Sequence, residues 1–193
     1  MEQGTLRFAL RHRTRQLHGR PDEMLGSPHG QVSGVPGYLC VVRTLHALHA
    51  LADRPLARWA GSSPLASSLT ASGLPDRAPL YAADLAALDH PVTPPATGGA
   101  DQVSDARGLA LLYLLSGSAA GARVLLRGLP STVPAGARRG LTDAAAPSST
   151  RLWRETVSLL SGDTVPLPLH EPTAVETLAV MEWLVDRTEL VAP

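Results

Sequence analysis

The stretch Arg107-Gly108-Leu109-Ala110-Leu111-Leu112-Tyr113-Leu114-Leu115-Ser116-Gly117-Ser118-Ala119-Ala120-Gly121-Ala122-Arg123-Val124-Leu125-Leu126-Arg127 decides the fold class of this chain. It is apolar over nearly its whole length and reads as one long helix. Gly117 and Gly121 stand four residues apart inside it, and a glycine in a helix interior costs about 1 kcal/mol relative to alanine. Their bareness therefore has a use. Residues four apart share a helix face, so Tyr113, Gly117 and Gly121 form one stripe whose lower part carries no side chains. A flat ligand or a second backbone can lie directly against that stripe. Small residues at this spacing also serve close helix packing, and the segment alone does not choose between the two.

Outward from this segment the same periodicity recurs at about Leu6–Leu25, Tyr38–Leu51, Leu80–Leu88, Thr150–Leu160 and Pro172–Leu184, with Ser104–Leu126 as the glycine helix itself. No clean alternating strand competes, so the expected class is all-α. Start signals agree: Ser104 with Asp105 precedes the glycine helix, Ser149 and Thr150 precede another, and Pro172 after Glu171 suits a first helical turn. Stretches rich in Pro, Gly, Ser and Ala over Gly61–Pro75, His90–Ala100 and Gly128–Ser148 read as loops. The last is long for a structureless connection and is expected to hide a short helix around Ala135–Ala145. At 193 residues the expectation is a single domain, residues 1–193.

Composition narrows the function classes. The 17 basic and 17 acidic residues cancel, so no global field favours nucleic acid or an anionic membrane. Cys40 is the only cysteine and sits in an apolar run, which excludes an intramolecular disulfide. The first residues lack the charged leader, apolar core and small-residue cleavage site of a secretory signal. The uncharged stretch Gly108–Ala122 is shorter than the roughly 20 residues a membrane span needs. The expected location is the cytoplasm.

In the first helix Arg11, Arg15, His18 and Asp22 follow at spacings of four, three and four, which places them on one face. A carboxylate one turn after a histidine can orient the ring nitrogen that faces away from a metal. The two arginines would meet anionic groups about 5 to 11 Å along the axis, given the helical rise. A metal-centred ligand carrying carboxylates fits this face, as does the plain solvated side of an amphipathic helix. Pro21, three residues after His18, is expected to kink or end the helix there.

Together the two helices resemble the haem (heme) oxygenases, most closely the bacterial type found beside bacteriophytochromes. Leu10-Arg11-His12-Arg13-Thr14-Arg15-Gln16-Leu17-His18-Gly19-Arg20-Pro21-Asp22 is similar to the family's proximal helix, and Leu112 to Leu125 to its distal helix. Weaker likenesses lie at Leu80–Leu88 and at Leu152-Trp153-Arg154. The resemblance implies a haem-oxygenase-like fold with haem between the two helices and His18 as the iron ligand, oriented by Asp22. Arg11, Thr14, Arg15, Tyr113 and Arg154 would contact the haem, and Gly117, Ser118 and Gly121 would form the catalytic distal wall. The implied reaction is opening of the macrocycle with O2 to biliverdin, CO and ferrous iron. Haem is then substrate and cofactor together, and the protein supplies ligation, orientation and water control. No flavin or nicotinamide motif is present, so electrons would come from an external donor, a ferredoxin-like protein or a small reductant. A bacteriophytochrome apoprotein is the implied recipient of the bilin.

The chain departs from the family pattern at Ser116, usually glutamate; Ala119, usually threonine; Ala122, usually glycine; and Thr156, where an aromatic residue is common. These departures leave a second implied reading, a weakened haem carrier or sensor on the same fold. A third reading is a helical interaction protein that binds no haem. His46 and His49 lie three apart in the second helix; with no carboxylate counted as their partner, they read as packed or exposed helix histidines. Gly117-Ser118 lies inside a helix, not on the strand-to-helix turn a hydrolase serine needs.

Overall fold

The computed structural model describes residues 5–14, 32–69, 74–92 and 102–189. Among them every regular element is helical, in agreement with the all-α expectation. Helix α1 covers residues 6–14. It starts where the Thr5 hydroxyl accepts the Phe8 backbone N–H at 3.3 Å, and it buries Leu6 and Leu10, four residues apart. The rest of the expected first helix lies outside the described residues.

Helix α2 spans Gly34–Ser62, longer than the expected Tyr38–Leu51 because it runs on through Pro55. A short 3₁₀ turn, Pro64–Ala66, follows it. Helix α3 spans Ala78–Ala86, and α4 spans Asp105–Arg127. Ser104 caps α4 as its sequence position suggests, accepting the Arg107 N–H at 3.2 Å. The expected hidden helix is present as a 3₁₀ turn, Ala135–Ala137, and then α5, Arg139–Ala144. Helix α6 is Pro147–Ser161, so its start lies earlier than Ser149; Pro147 takes the first helical position, and Ser149 is buried inside the helix. Helix α7 is His170–Glu189, with Pro172 in its first turn.

Helix α4 is the central element, packed against α2, α5, α6 and α7. Its Leu109, Leu111, Leu112 and Leu115 share one core with Leu48, Leu56 and Trp59 of α2, Leu152 and Leu159 of α6, and Val180 and Leu184 of α7. Ala119 and Ala122 join a smaller core with Tyr38, Val42, Tyr81, Leu85 and Leu141. By length and composition α4 is apolar enough to cross a membrane, yet half of that window is buried within the fold.

Two buried carboxylates join short helices to long ones. Asp53 of α2 accepts the backbone N–H of Arg77 at 2.8 Å and of Ala78 at 3.1 Å, which satisfies the start of α3. Asp84 of α3 repeats the device one helix on, accepting the N–H of Arg139 at 2.9 Å and of Gly140 at 2.8 Å at the start of α5. Burial raises the Asp84 carboxyl above the usual aspartate value, and the two backbone N–H groups oppose this.

Candidate functional site

The four glycines of α4 and α5 divide into two kinds. A Cβ on Gly108 would stand 2.2 Å from the Trp59 ring, and one on Gly140 would stand 2.3 Å from the Tyr81 ring. Those glycines are required by the chain's own aromatic packing. The Trp59 ring is held in place because its indole N–H donates to Asp105 at 2.8 Å. A Cβ on Gly117 would meet only Cζ3 of Trp153, at 3.7 Å, which is ordinary contact. At Gly121 none of the described residues comes within 4 Å. The stripe anticipated from sequence is therefore bare and is not consumed by packing among the described residues.

One wall of the stripe is aromatic. Tyr113 and Trp153 lie with ring centroids 6.3 Å apart and tilted by 45°. Trp153 stands on α6, one residue before Arg154, whose side chain is exposed and whose Nε donates to the Thr150 carbonyl at 3.4 Å. Ser118 is half-buried, and its hydroxyl donates to the Leu115 carbonyl at 2.8 Å, leaving oxygen lone pairs to accept. Ser116, Ala119, Ala122 and Thr156, the departures from the haem oxygenase pattern, are all buried in the core. The Ser116 hydroxyl donates to the Leu112 carbonyl at 2.5 Å, and that of Thr156 donates to the Leu152 carbonyl at 2.8 Å.

Of the first-helix residues, Arg11 is exposed on α1. Thr14 is fully buried and donates its hydroxyl to the Leu10 carbonyl at 2.8 Å, so its polar atom is engaged within its own helix. Its neighbour Arg13 pairs with Glu171 of α7 at 2.8 Å, which anchors α1. Arg15, His18 and Asp22 lie outside the described residues.

No family profile, curated protein or solved structure matches this chain. The residues themselves thus carry the functional reading.

Sequence reasoning overlooked one polar centre. The His49 ring Nδ1 lies 2.7 Å from Asp53 Oδ1, and since a carboxylate only accepts, Nδ1 carries the proton. This corrects the reading of His49 as a histidine without a carboxylate partner. The ring is buried and tilted on Tyr81 at 5.2 Å. Burial and the neighbouring His49 both lower the pKa of His46. From the start of α3, Arg77 donates Nε to Asp143 at 2.8 Å and Nη2 to Ser149 at 2.6 Å. The chain His49, Asp53, Arg77, Ser149 thus ties α2 to the first turn of α6, the helix that carries Trp153. Among the described residues no group of three or more His, Cys, Asp or Glu is placed to hold a metal.

A cleft of about 580 Å³ lies elsewhere, between α2 and the approach to α3, with Arg54, Ala57, Leu69, Leu74 and Pro79 in its lining. It includes none of Tyr113, Gly117, Gly121 or Trp153.

Proposed function

We propose that this protein is a haem-degrading monooxygenase of the haem oxygenase type, with the bare stripe of α4 as the distal wall and His18 as the iron ligand. The carrying observation is the contrast among its helical glycines: Gly108 and Gly140 are filled by Trp59 and Tyr81, whereas among the described residues only Trp153, at 3.7 Å, stands beside Gly117 and none stands within 4 Å of Gly121, although both cost helix stability. A helix gives up that stability when something outside its own packing needs close approach to the backbone.

Several described residues support the reading of a planar macrocycle here. Gly117 and Gly121 give it a floor without side chains, and Tyr113 with Trp153 gives it an aromatic edge. Exposed Arg11 and Arg154, with Arg15, supply guanidinium groups for its propionates. The free lone pairs of Ser118, with the Tyr113 hydroxyl, hold water near the floor. Bound haem supplies its own O2 chemistry and leaves as biliverdin, CO and ferrous iron, with electrons from a ferredoxin-like protein or a small reductant. The burial of Ser116, Ala119 and Ala122 supports turnover over the weakened-carrier reading, since those departures do not line the open stripe.

Titration of the purified protein with hemin tests this reading. A Soret band that shifts or is lost in His18→Ala is expected, followed by its decay and a broad red biliverdin absorption when ascorbate is added in air. No Soret band, or one indifferent to His18→Ala, overturns the ligand assignment. A band that persists under ascorbate and ferredoxin overturns the enzyme in favour of the carrier. Gly121→Leu is expected to block hemin while leaving the helical circular dichroism unchanged.

A further inference from the structure

One face of α2 carries a polar step inside an otherwise apolar core. Val42, His46, His49 and Asp53 follow at spacings of four, three and four, which places them on one side of the helix, and all four are buried. Val42 is spent on the smaller core with Tyr38, Tyr81 and Leu85. Both oxygens of Asp53 are engaged: Oδ1 holds the His49 ring at 2.7 Å, and Oδ2 accepts the backbone N–H groups that open α3. The far side of the His49 ring is different. Its Nε2 is buried and has no hydrogen-bond partner among the described residues. Since Asp53 fixes the proton on Nδ1, Nε2 holds a bare lone pair. A buried acceptor left unmade is costly, so this atom signals a missing partner.

The surroundings say what that partner is. The two nitrogens of an imidazole point apart, so with Nδ1 turned to Asp53, one turn later in α2, Nε2 is directed away from it. His46 stands on that other side, one turn earlier, and residues three apart on a helix have Cβ atoms about 5–6 Å apart. Tyr81 packs against the His49 ring with centroids 5.2 Å apart. Burial, and then the nearness of His49, lower the pKa of His46, so at neutral pH its ring is uncharged and also has a lone pair to give. Two neutral imidazoles, one of them oriented by a carboxylate on its far nitrogen, have the make-up of a metal site. Ligands at i and i+3 of one helix close on one ion in helical-bundle metal proteins. The donors also select the ion: magnesium and calcium ask for oxygen, whereas imidazole suits zinc, copper and nickel. Among the described residues no third His, Cys, Asp or Glu joins the pair, so water completes the coordination.

The geometry points to a metal site on α2 in which His46 and His49 Nε2 bind one divalent cation of the zinc class, with Asp53 as the positioning residue. It does not rest on the haem reading and stands whether or not hemin binds. Binding forms two nitrogen–metal bonds and releases water from the ion; no electron is transferred. The ion withdraws charge from the His49 ring and makes its Nδ1–H a stronger donor to Asp53. Asp53 in turn holds the N–H groups of Arg77 and Ala78. The cation therefore clamps α2 to the start of α3.

Zinc chloride titrated near neutral pH into the full haem-free chain, stripped of metal, tests the site. In long-range proton–nitrogen spectra His49 is expected as the Nδ1–H tautomer before zinc is added. On addition its Nε2 resonance moves while Nδ1 keeps its proton. Calorimetry compares the parent with His46→Gln and Asp53→Asn. His46 is the more accessible ligand, at 9% exposure against 1% for His49, and glutamine keeps helix propensity, so the first variant removes a donor with little harm to the fold. Its metal-free melt is expected to stay that of the parent, with zinc affinity lowered by more than the about 10- to 100-fold expected for Asp53→Asn. The melting temperature of the parent rises with zinc concentration, and the rise shrinks in both variants. If Asp53→Asn loses the start of α3 and does not fold, His46→Gln and the spectra of the parent decide. Magnesium chloride is expected to move none of these readouts, and an equal response to it overturns the imidazole site. A His49 Nε2 resonance that ignores zinc overturns it as well. Equal zinc affinity in the parent and His46→Gln does the same and assigns the ion to other histidines of the chain. A long-lived water in contact with Nε2 that zinc fails to displace also overturns the site, in favour of buried water as the missing partner.

Discussion

The junction of α2 with α3 and α5 and the open side of α4 use glycine for opposite purposes. At the junction Gly140 is surrounded: the Tyr81 ring occupies the space of its missing Cβ, and the Asp84 carboxylate accepts its N–H at 2.8 Å. On the open side Gly121 meets none of the described residues within 4 Å. The difference teaches that the identity of a residue does not reveal its purpose, whereas what fills the space beside it does. A glycine filled from within serves the packing of the helices, and one beside which no described residue stands is not spent on that packing.

Substitution by alanine breaks the comparison most directly. Gly108→Ala and Gly140→Ala should each destabilise the protein by about 3 kcal/mol, since a methyl at 2.2 or 2.3 Å from a fully buried ring forces the ring or the helix to move. Urea midpoints measure this. A loss below about 1 kcal/mol would mean that Trp59 or Tyr81 yields easily, and the division into two kinds of glycine would lose half its basis.

The elements of this fold were largely legible in the sequence, and the reasons for the exceptions are physical. Ser104 announced α4 because a hydroxyl before a helix has one favoured use, accepting an N–H of the first turn. The Tyr113, Gly117, Gly121 stripe was legible because helical periodicity fixes which residues share a face. The His49–Asp53 pair was missed although its spacing of four lies in the sequence. With α2 read as ending at Leu51, Asp53 fell off the helix; the helix instead continues through Pro55. The second oxygen of Asp53 caps a helix whose leading residue, Arg77, lies 24 residues further on, and no local pattern announces a contact of that range. The filling of Gly108 by Trp59 was hidden for the same reason. Sequence placed the bare positions, but only the packing separates those that are filled from those that are open.

A smaller effect sharpens the junction side. Asp84→Asn keeps one acceptor for two backbone N–H groups and should cost about 1 kcal/mol near neutral pH. Its pH dependence carries the more specific expectation. The folded-state pKa of Asp84 is raised by burial, so the carboxyl contributes stability that is fully present below its unfolded value and is lost as pH rises through the folded one. The deficit of the asparagine variant should therefore be larger in acid, below the ordinary aspartate value of 3.8, than at neutrality. Urea melts at the two pH values check the sign; a deficit that grows towards neutral pH would mean that the Arg139 and Gly140 N–H groups outweigh burial.

The smallest effect belongs to the open side and has the opposite sign. Gly121→Ala adds a methyl where no described residue stands and removes the backbone entropy that glycine loses on folding, so the haem-free protein should gain about 1 kcal/mol. Gly117→Ala should gain slightly less, because its methyl would only touch Trp153, at 3.7 Å. If hemin lies on this stripe, the gain in stability is accompanied by weaker hemin binding, since the same methyl then stands between the macrocycle and the backbone. A protein that is stabilised by Gly121→Ala yet binds hemin as tightly as the parent would retain an open glycine without a ligand to explain it, and the distal wall would have to be sought on another face.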